Sequence, residues 1–195
     1  MYKILILGPQ GSGKGTQAVR LSQKLNVPAL SMGQLLRNEV ASGSALAHKI
    51  SSLIDAGQLV PDDVALEVLK KRLEQSDCAQ GYILDGYPRN KAQYDIYKDF
   101  DIPTFVLVID VPESVSMARM EHRAQVDQRD DDTPAVMRER LRVFREETAP
   151  IIDMYKEQGL AHVIDGVGSM EDVEGRIDAI VGANSDDVIA SYGTY

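Results

Sequence analysis

The sequence predicts a three-layer α/β fold, in which a five-stranded parallel sheet is covered by helices on both faces. Short apolar runs rich in β-branched residues recur along the chain, and stretches with helical spacing of apolar residues separate them. Continuous apolar strands that alternate with helices are typical of a parallel sheet buried on both faces. The predicted strands are Ile4–Leu7, Pro28–Leu30, Tyr82–Leu84, Phe105–Ile109 and His162–Ile164. In such a sheet, functional groups gather at the carboxyl ends of the strands.

The loop after the first strand, Gly8–Gln17, fits the pattern Gly-x4-Gly-Lys of a phosphate-binding loop, or P-loop. Its glycines let backbone N–H groups point inward at phosphate oxygens, and the helix that follows adds the positive end of its dipole. Lys14 supplies a full charge. One position departs from the general pattern, because Gly15 stands where Ser or Thr is expected and Thr16 comes next. A merely structural glycine-rich connection is the alternative, and the four glycines around a lysine argue against it.

Residues 31–60 are predicted to form a small helical insertion between two parts of the main domain. Gly43 and Gly57 are expected just past helix ends, and Ser44 is a plausible N-cap. Pro61 marks the return to the main body. The predicted core then consists of residues 1–30, 61–122 and 134–183.

The next predicted helix runs from Pro112 to about Arg123, and a polar, acidic loop follows it. Thr133 is expected to cap a long helix with Pro134 at its first position, and Pro150 should kink or restart that helix. A core stripe on this helix comprises Met137, Leu141, Phe144, Thr148, Ile151 and Tyr155. The tail, residues 184–195, is polar and is expected to be frayed.

Composition narrows the class of protein. A chain of 195 residues suits one domain with small insertions. Its net charge of −9, from 30 acidic and 21 basic residues, argues against nucleic-acid binding. The single cysteine, Cys78, excludes an intrachain disulfide. We find no apolar run of membrane-spanning length and no signal peptide, so we expect a cytoplasmic protein with no membrane partner.

Charged residues follow the predicted strands. Asp85 ends the third strand, where it either holds Mg²⁺ through water or caps a turn before Gly86; its place beside a P-loop favours the metal. Arg89 lies just past the same strand, and an arginine fork matches phosphate oxygens, although an isolated arginine there would be an ordinary surface charge. Arg119 and Arg123 share one helix face. Phosphoryl transfer to another phosphate needs no general base, because the acceptor is already anionic.

Taken together, these segments resemble an adenylate kinase of the nucleoside monophosphate kinase family, in its short-lid form. The resemblance extends from Met1 to about Val181, and in this family Gly15 followed by Thr16 is the usual form. It implies reversible, Mg²⁺-dependent transfer from ATP to AMP, giving two ADP, by a monomer. The motifs that carry it are Gly8–Gln17, Ser31–Arg37, Gly57–Pro61, Leu84–Arg89 and the run Arg119–Arg140.

The resemblance also implies a role for each matching residue. The ATP site comprises Gly11, Ser12, Gly13, Lys14, Gly15, Thr16, Arg119, Arg123 and the backbone near Gly168. The AMP site comprises Met32, Arg37, Leu59, Val60, Gly86, Arg89, Gln93, Arg129 and Arg140. The catalytic cations are Lys14, Arg89, Arg123, Arg129 and Arg140. Asp85 serves the Mg²⁺ shell, residues 31–60 form an AMP-binding arm, and residues 123–133 form a lid that closes with it to exclude water.

Three departures from the family pattern matter. Met32 replaces the usual threonine of the adenine pocket, and Gln34 replaces a usual aspartate. The lid is short and has no cysteines, which excludes a zinc-bearing lid. Gln93 argues for AMP, whereas Met32 leaves a UMP/CMP kinase of the same family as the alternative. A non-catalytic adenylate-binding module is the third reading, and the presence of Lys14, Arg89 and the lid arginines argues against it.

Overall fold

A computed structural model describes residues 1–43, 47–56, 58–127 and 133–192 of the chain. Within them, five parallel strands form one sheet in the order β2-β3-β1-β4-β5. The strands are β1 Tyr2–Leu7, β2 Ala29–Ser31, β3 Gly81–Asp85, β4 Phe105–Asp110 and β5 Ala161–Asp165. The predicted fold class is therefore confirmed, and each predicted strand lies within or overlaps an observed one.

Helices connect these strands. They are α1 Lys14–Leu25, α2 Met32–Ala41, α3 Ala47–Asp55, α4 Asp62–Leu73, α5 Lys91–Phe100, α6 Glu113–Asp127, α7 Pro134–Val143, α8 Ala149–Glu157 and α9 Met170–Tyr192. A short 3₁₀-helix spans Ser76–Cys78, and a π-helix, Phe144–Thr148, joins α7 to α8.

Alternate residues of the central strands pack on opposite faces of the sheet. Leu5 and Leu84 face a cluster built with α2, α3, α4, α5 and α8. Ile4, Ile6 and Leu107 face a second cluster built with α1 and α9. Because both faces are covered, the central strands β1, β3 and β4 carry buried apolar residues on both faces, as the sequence predicted.

The register places the ends of the strands side by side. Ile6 of the central strand β1 pairs with Asp85 of β3, and Ser31 of β2 pairs with the same aspartate. The loop after β1 therefore lies next to the loop after β3. The insertion that begins after Ser31 starts from the same edge of the sheet.

The helix between β4 and the predicted lid is longer than the sequence indicated. It begins at Glu113, one residue after the predicted start at Pro112, and it continues past Arg123 to Asp127. The first part of the predicted lid is thus helical, and residues 128–132, which include Arg129, lie outside the described residues.

The next predicted helix start is confirmed. The Thr133 hydroxyl accepts a hydrogen bond from the Val136 N–H at 3.4 Å, and Pro134 occupies the first turn. Pro150 coincides with the predicted disturbance, because the π-helix immediately precedes it and α8 restarts around it. The predicted stripe is buried, except that Phe144 is only partly so.

Other predicted boundaries have mixed outcomes. Gly43 follows α2 with φ of 68°, as a residue just past a helix end does. Ser44 and Gly57 lie outside the described residues. The prediction of a frayed tail from Asn184 differs from the structure, in which α9 continues to Tyr192. Within the described residues, no helix combines the length and apolar character needed to cross a membrane.

Candidate active site

A cavity of about 570 Å³ opens at the carboxyl edge of the sheet. Its wall is formed by the loop after β1, the start of the helical insertion, the loop after β3, and arginines from α6 and α7. The predicted site residues that line it are Gly11, Gly13, Lys14, Gly15, Thr16, Met32, Arg37, Leu59, Val60, Asp85, Gly86, Arg89, Gln93, Arg119, Arg123 and Arg140. Residues far apart in sequence therefore meet in one place.

The loop after β1 needs glycine at two positions of close approach. A Cβ on Gly8 would lie 2.2 Å from the Ile109 carbonyl oxygen, and a Cβ on Gly11 would lie 2.4 Å from the Ser116 carbonyl oxygen. Both glycines also have positive φ, of 143° and 79°. The loop is thus packed tightly against β4 and α6, and this packing holds its backbone in place beneath the cavity.

Lys14 carries its charge in a buried position. The residue is 8% exposed, and its Nζ donates to the Pro9 carbonyl oxygen at 2.7 Å. Burial lowers the pKa of Lys14 to about 8; the Asp85 carboxylate opposes this, while Arg89 and Arg123 lower the pKa further. Burial therefore disfavours the charged form of Lys14, and a bound anion would favour it.

Arg89 is the second cation held at this edge. Its Nε donates to the Gly86 carbonyl oxygen at 2.6 Å, so the side chain folds back over the turn after β3. Burial lowers the pKa of Arg89, Asp85 opposes that, and Arg140 and Arg37 lower it further. Mutual repulsion between guanidinium groups brought this close is expected to favour binding of a polyanion.

Asp85 provides an acidic oxygen in this basic site. Its Oδ1 is buried and has no hydrogen-bond partner among the described residues. Its Oδ2 would lie 3.6 Å from a Cβ on Gly15, so the carboxylate faces the phosphate-binding loop. No group of three His, Cys, Asp or Glu side chains that could hold a metal occurs in the described residues. A cation here would thus depend on Asp85, water and ligand oxygens, which is the kind of shell that Mg²⁺ accepts.

The predicted AMP side of the cavity combines an apolar wall with an arginine that hydrogen-bonds to a neighbouring side chain. Met32 and Val60 are buried, at 2% and 6% exposure, in the core cluster under the insertion. Arg37 on α2 donates from Nη2 to the Gln34 Oε1 at 2.9 Å. Gln34, one of the departures from the family pattern, therefore contacts the arginine expected to bind phosphate.

Comparison with known proteins identifies the family. A family model described as adenylate kinase matches residues 6–160. An adenylate kinase of Stenotrophomonas maltophilia (strain K279a) is 42% identical over 93% of this chain and 100% of the relative. Adenylate kinases of Bifidobacterium longum (strain NCC 2705) and Xylella fastidiosa (strain M23) are 41% and 40% identical over 90% and 92% of this chain, and 97% and 99% of the relatives.

The chain belongs to the adenylate kinase family. Membership makes it an enzyme of the phosphoryl-transfer class, and the predicted ATP:AMP transfer is the reaction that the family supports. A UMP/CMP kinase is not favoured by these relatives. The family binds adenine nucleotides and uses a divalent metal with them.

Some predicted site residues of this adenylate kinase family member do not line the cavity. Ser12, within the loop after β1, is 1% exposed and is absent from the cavity wall. Gly168 packs at the start of α9, where a Cβ would lie 2.9 Å from the Asp172 Oδ2. Arg129 lies outside the described residues. Their assigned roles stay predictions.

Arg119 has a bracing role that the adenylate kinase resemblance did not suggest. Its Nη1 donates to the Ser12 carbonyl oxygen at 3.1 Å, and its Nη2 donates to the Gly166 carbonyl oxygen at 3.0 Å. The side chain thus ties the loop after β1 to the loop after β5. It also lines the cavity, so bracing and ligand contact are compatible.

Sequence reasoning missed Asp62, which fixes the side chain of Gln93, the residue predicted to recognise adenine. The Gln93 Nε2 donates to the Asp62 Oδ1 at 2.9 Å, and the Asn90 Nδ2 donates to the same oxygen at 2.8 Å. The Gln93 Oε1 accepts from the Arg89 N–H at 2.9 Å. An amide NH₂ carries two donors, of which Asp62 uses one. The position of Asp62 directly after Leu59-Val60-Pro61 was the available signal.

Proposed function

We propose that the cavity binds ATP and AMP together and that its own cations carry the transfer of the γ-phosphoryl group between them. The observation that supports this most strongly is the convergence of Lys14, Arg89 and Arg140 on one cavity from three separate elements. A single nucleotide triphosphate needs one phosphate cradle. Several cations that reach one cavity from separate elements fit both a donor and an acceptor phosphate.

The proposed division of labour follows the two sides of the cavity. The loop after β1, with Lys14 and Thr16, takes the ATP phosphates together with Arg123. Arg37 and Arg89 take the AMP phosphate, and Arg140, which lines the same cavity, is assigned to the transferring group. Because the AMP phosphate is already an anion, no group in the site has to remove a proton from it. Catalysis then depends on holding the two phosphates in line and neutralising the charge that repels them.

We propose Mg²⁺ as the divalent metal, held by Asp85 through water and by the ATP phosphates. The buried, unpartnered Asp85 Oδ1 supports this assignment. When bound, Mg²⁺ would neutralise phosphate charge and orient the phosphates. The chain's own contribution is to present one carboxylate oxygen beside the loop that cradles them.

Replacing Asp85 by Asn is expected to lower kcat about 100-fold at saturating Mg²⁺, because the amide is neutral and binds the metal shell poorly. Metal-free ATP should bind the variant as well as, or more tightly than, the parent, since a negative charge beside the phosphates is gone. Steady-state kinetics and calorimetry in the presence of a chelator measure the two effects. Asp110→Asn, at the exposed tip of β4, is the matched control and should leave both unchanged. An unchanged kcat in Asp85→Asn would contradict the assignment.

The proposed acceptor is AMP. The Gln93 amide is held rigidly at the cavity wall by Asp62 and by the Arg89 backbone, and a fixed amide suits an adenine edge. The apolar Met32 and Leu59 would pack against the base. We further propose that residues 31–60 act as the AMP arm and residues 123–133 as the lid, in a cytoplasmic monomer.

ADP formation with AMP, UMP, CMP or GMP offered separately tests this proposal. We expect kcat/KM for AMP to exceed that for each other acceptor by about 100-fold, because a site built to hydrogen-bond one base leaves its polar groups unpaired with another. Lys14→Met protein run in parallel corrects for contaminating kinase. A higher kcat/KM with UMP or CMP would establish the pyrimidine reading, and nucleotide binding without turnover would establish a binding module.

A further inference from the structure

The π-helix between α7 and α8 ends on a residue that contacts the acceptor side of the cavity. Thr148, its last residue, is 6% exposed, and its Oγ1 donates to the Arg89 carbonyl oxygen at 2.7 Å. The two residues are far apart in sequence, so this bond joins two separate elements. π-Turns inside α-helices are rare and occur frequently at functional sites.

The π-turn changes which residues share a face with Arg140. On a regular α-helix, positions eight apart point about 80° away from each other. A π-turn takes up about one residue more than an α-turn, and it therefore brings Thr148 back towards the face of Arg140. In agreement, Arg140, Phe144 and Thr148 all line one small cavity beside Pro88 and Arg89. The continuous helical segment from α7 to α8 thus places the Arg140 side chain at the active-site cavity. It also places the Thr148 hydroxyl against the backbone of Arg89.

Three hydrogen bonds then fix Arg89. Thr148 holds its carbonyl oxygen, Gln93 holds its N–H, and Gly86 accepts from its Nε. Thr148 is the one of the three that lies outside the β3–α5 region. Without it, the partly buried carbonyl would lose this hydrogen bond, and the turn that carries the guanidinium could relax.

We propose that Thr148 is a positioning residue for the acceptor phosphate, because it aligns Arg89 with the helix that carries Arg140. The inference rests on the proposed role of Arg89 in binding AMP. It extends that role to a residue that touches no substrate. Displacing a substrate-binding group by about 1 Å can lower a rate about 100-fold, so a bond at the backbone of Arg89 can have a large effect at the cavity.

Thr148→Val removes the hydroxyl and keeps the shape of the side chain. We expect the KM for AMP to rise about tenfold, while the KM for ATP and the affinity for a non-hydrolysable ATP analogue stay within about twofold. Thr148→Ser, which keeps the donor, should restore the KM for AMP. Thr148→Ala carries the same prediction as the valine variant and serves if valine prevents folding.

Tyr155→Phe is the matched control. It also removes a buried hydroxyl, one on α8, and in the described residues that hydroxyl has no hydrogen-bond partner. It should leave the KM for AMP unchanged. A fall in the unfolding midpoint of Thr148→Val without a change in the KM for AMP would show a purely structural role and would overturn the inference.

A double-mutant cycle with Arg89→Ala separates this inference from the proposed function. If Thr148 acts through Arg89, Thr148→Val should change the AMP dissociation constant less than about twofold in the Arg89→Ala background. An undiminished tenfold effect there would overturn the inference. Unchanged AMP binding in Arg89→Ala itself would instead overturn the proposed AMP site. Weakened binding in Arg89→Ala, with normal binding in Thr148→Val, would overturn the role of Thr148 alone.

Discussion

Replacing Lys14 by Met is expected to lower kcat at least about 1000-fold and, at the same time, to stabilise the folded protein. The loss of activity follows from removing a full charge that we propose faces the transferring phosphoryl group in a site screened from water. The gain in stability follows from burial. Lys14 is 8% exposed, and its ammonium donates to a neutral carbonyl. Methionine fills a similar volume without a charge to desolvate.

The size and the pH dependence of this gain follow from the pKa of Lys14. Burial lowers that pKa from 10.5 to about 8, which corresponds to a penalty of up to about 3 kcal/mol. Loss of the Pro9 hydrogen bond offsets part of it, so we expect a net increase in the free energy of unfolding on the order of 1–2 kcal/mol. Below about pH 8 both the folded and the unfolded protein carry the proton, and the full penalty applies. Between about pH 8 and 10.5 the unfolded protein binds more protons, so the penalty shrinks as pH rises.

Denaturant titrations at about pH 7 and about pH 10 therefore measure a stability difference that should be larger at the lower pH. Binding gives a second readout, because ATP phosphates favour the charged amine and raise its pKa. Calorimetry of a non-hydrolysable ATP analogue near pH 8.5, in buffers of different ionisation enthalpy, should show proton uptake that Lys14→Met lacks.

Lys24→Met is the control on the same helix, since Lys24 pairs with Glu174 and Asp178 on α9. It should keep both kcat and proton uptake. A Lys14→Met enzyme that keeps its kcat would contradict the role of the charge. If Lys14→Met is inactive and also has a lower free energy of unfolding, the buried charge of Lys14 does not destabilise the folded protein.

Turns and helix ends of this fold were predictable from the sequence, because they depend on the conformational preferences of a few neighbouring residues. The loop after β1 needs glycines wherever a side chain would strike β4 or α6, and so its pattern is visible in the chain. Thr133 and Pro134 specify a helix start through a cap and a fixed φ. Pro150 predicted a disturbance, because it removes a donor from the helix, but the sequence did not specify that a π-turn would absorb it.

Contacts that depend on the order of the strands were beyond local reasoning. Asp62 and Gln93 are 31 residues apart and meet only because α4 and α5 pack on the same face of the sheet. Arg140 is one of several arginines on its helix, and only the tertiary structure separates it from Arg142, which pairs with Glu139. Family resemblance selected Arg140 because it carries tertiary information that composition and spacing lack. It did not indicate Thr148, whose contact with Arg89 depends on the π-turn.

Arg89→Lys is expected to lower kcat/KM for AMP about 100-fold or more, although it keeps the charge. The Arg89 Nε is already committed to the Gly86 carbonyl oxygen, which leaves the two terminal NH₂ groups as the fork for a phosphate. A lysine ammonium can replace the Nε contact or bind the phosphate, but its single nitrogen cannot do both in a fixed geometry. Affinity for an ATP analogue should change less than about twofold, because the proposed site of the donor phosphates is the loop after β1.

Arg72→Lys is the matched control for this substitution. Arg72 donates from both terminal nitrogens to the Asp77 carboxylate, so it also uses a fork, and it does not line the cavity. It should lose some stability and no activity. Steady-state kinetics with AMP varied at saturating ATP compare the two variants. If Arg89→Lys stays within about threefold of the parent, charge alone suffices at this position, and the fork geometry that Gly86, Gln93 and Thr148 hold has no role in binding the acceptor. If Arg89→Lys lowers both kcat/KM for AMP and the affinity for the ATP analogue, Arg89 serves the donor side as well. That result would contradict the proposed division of the cavity into two separate phosphate sites.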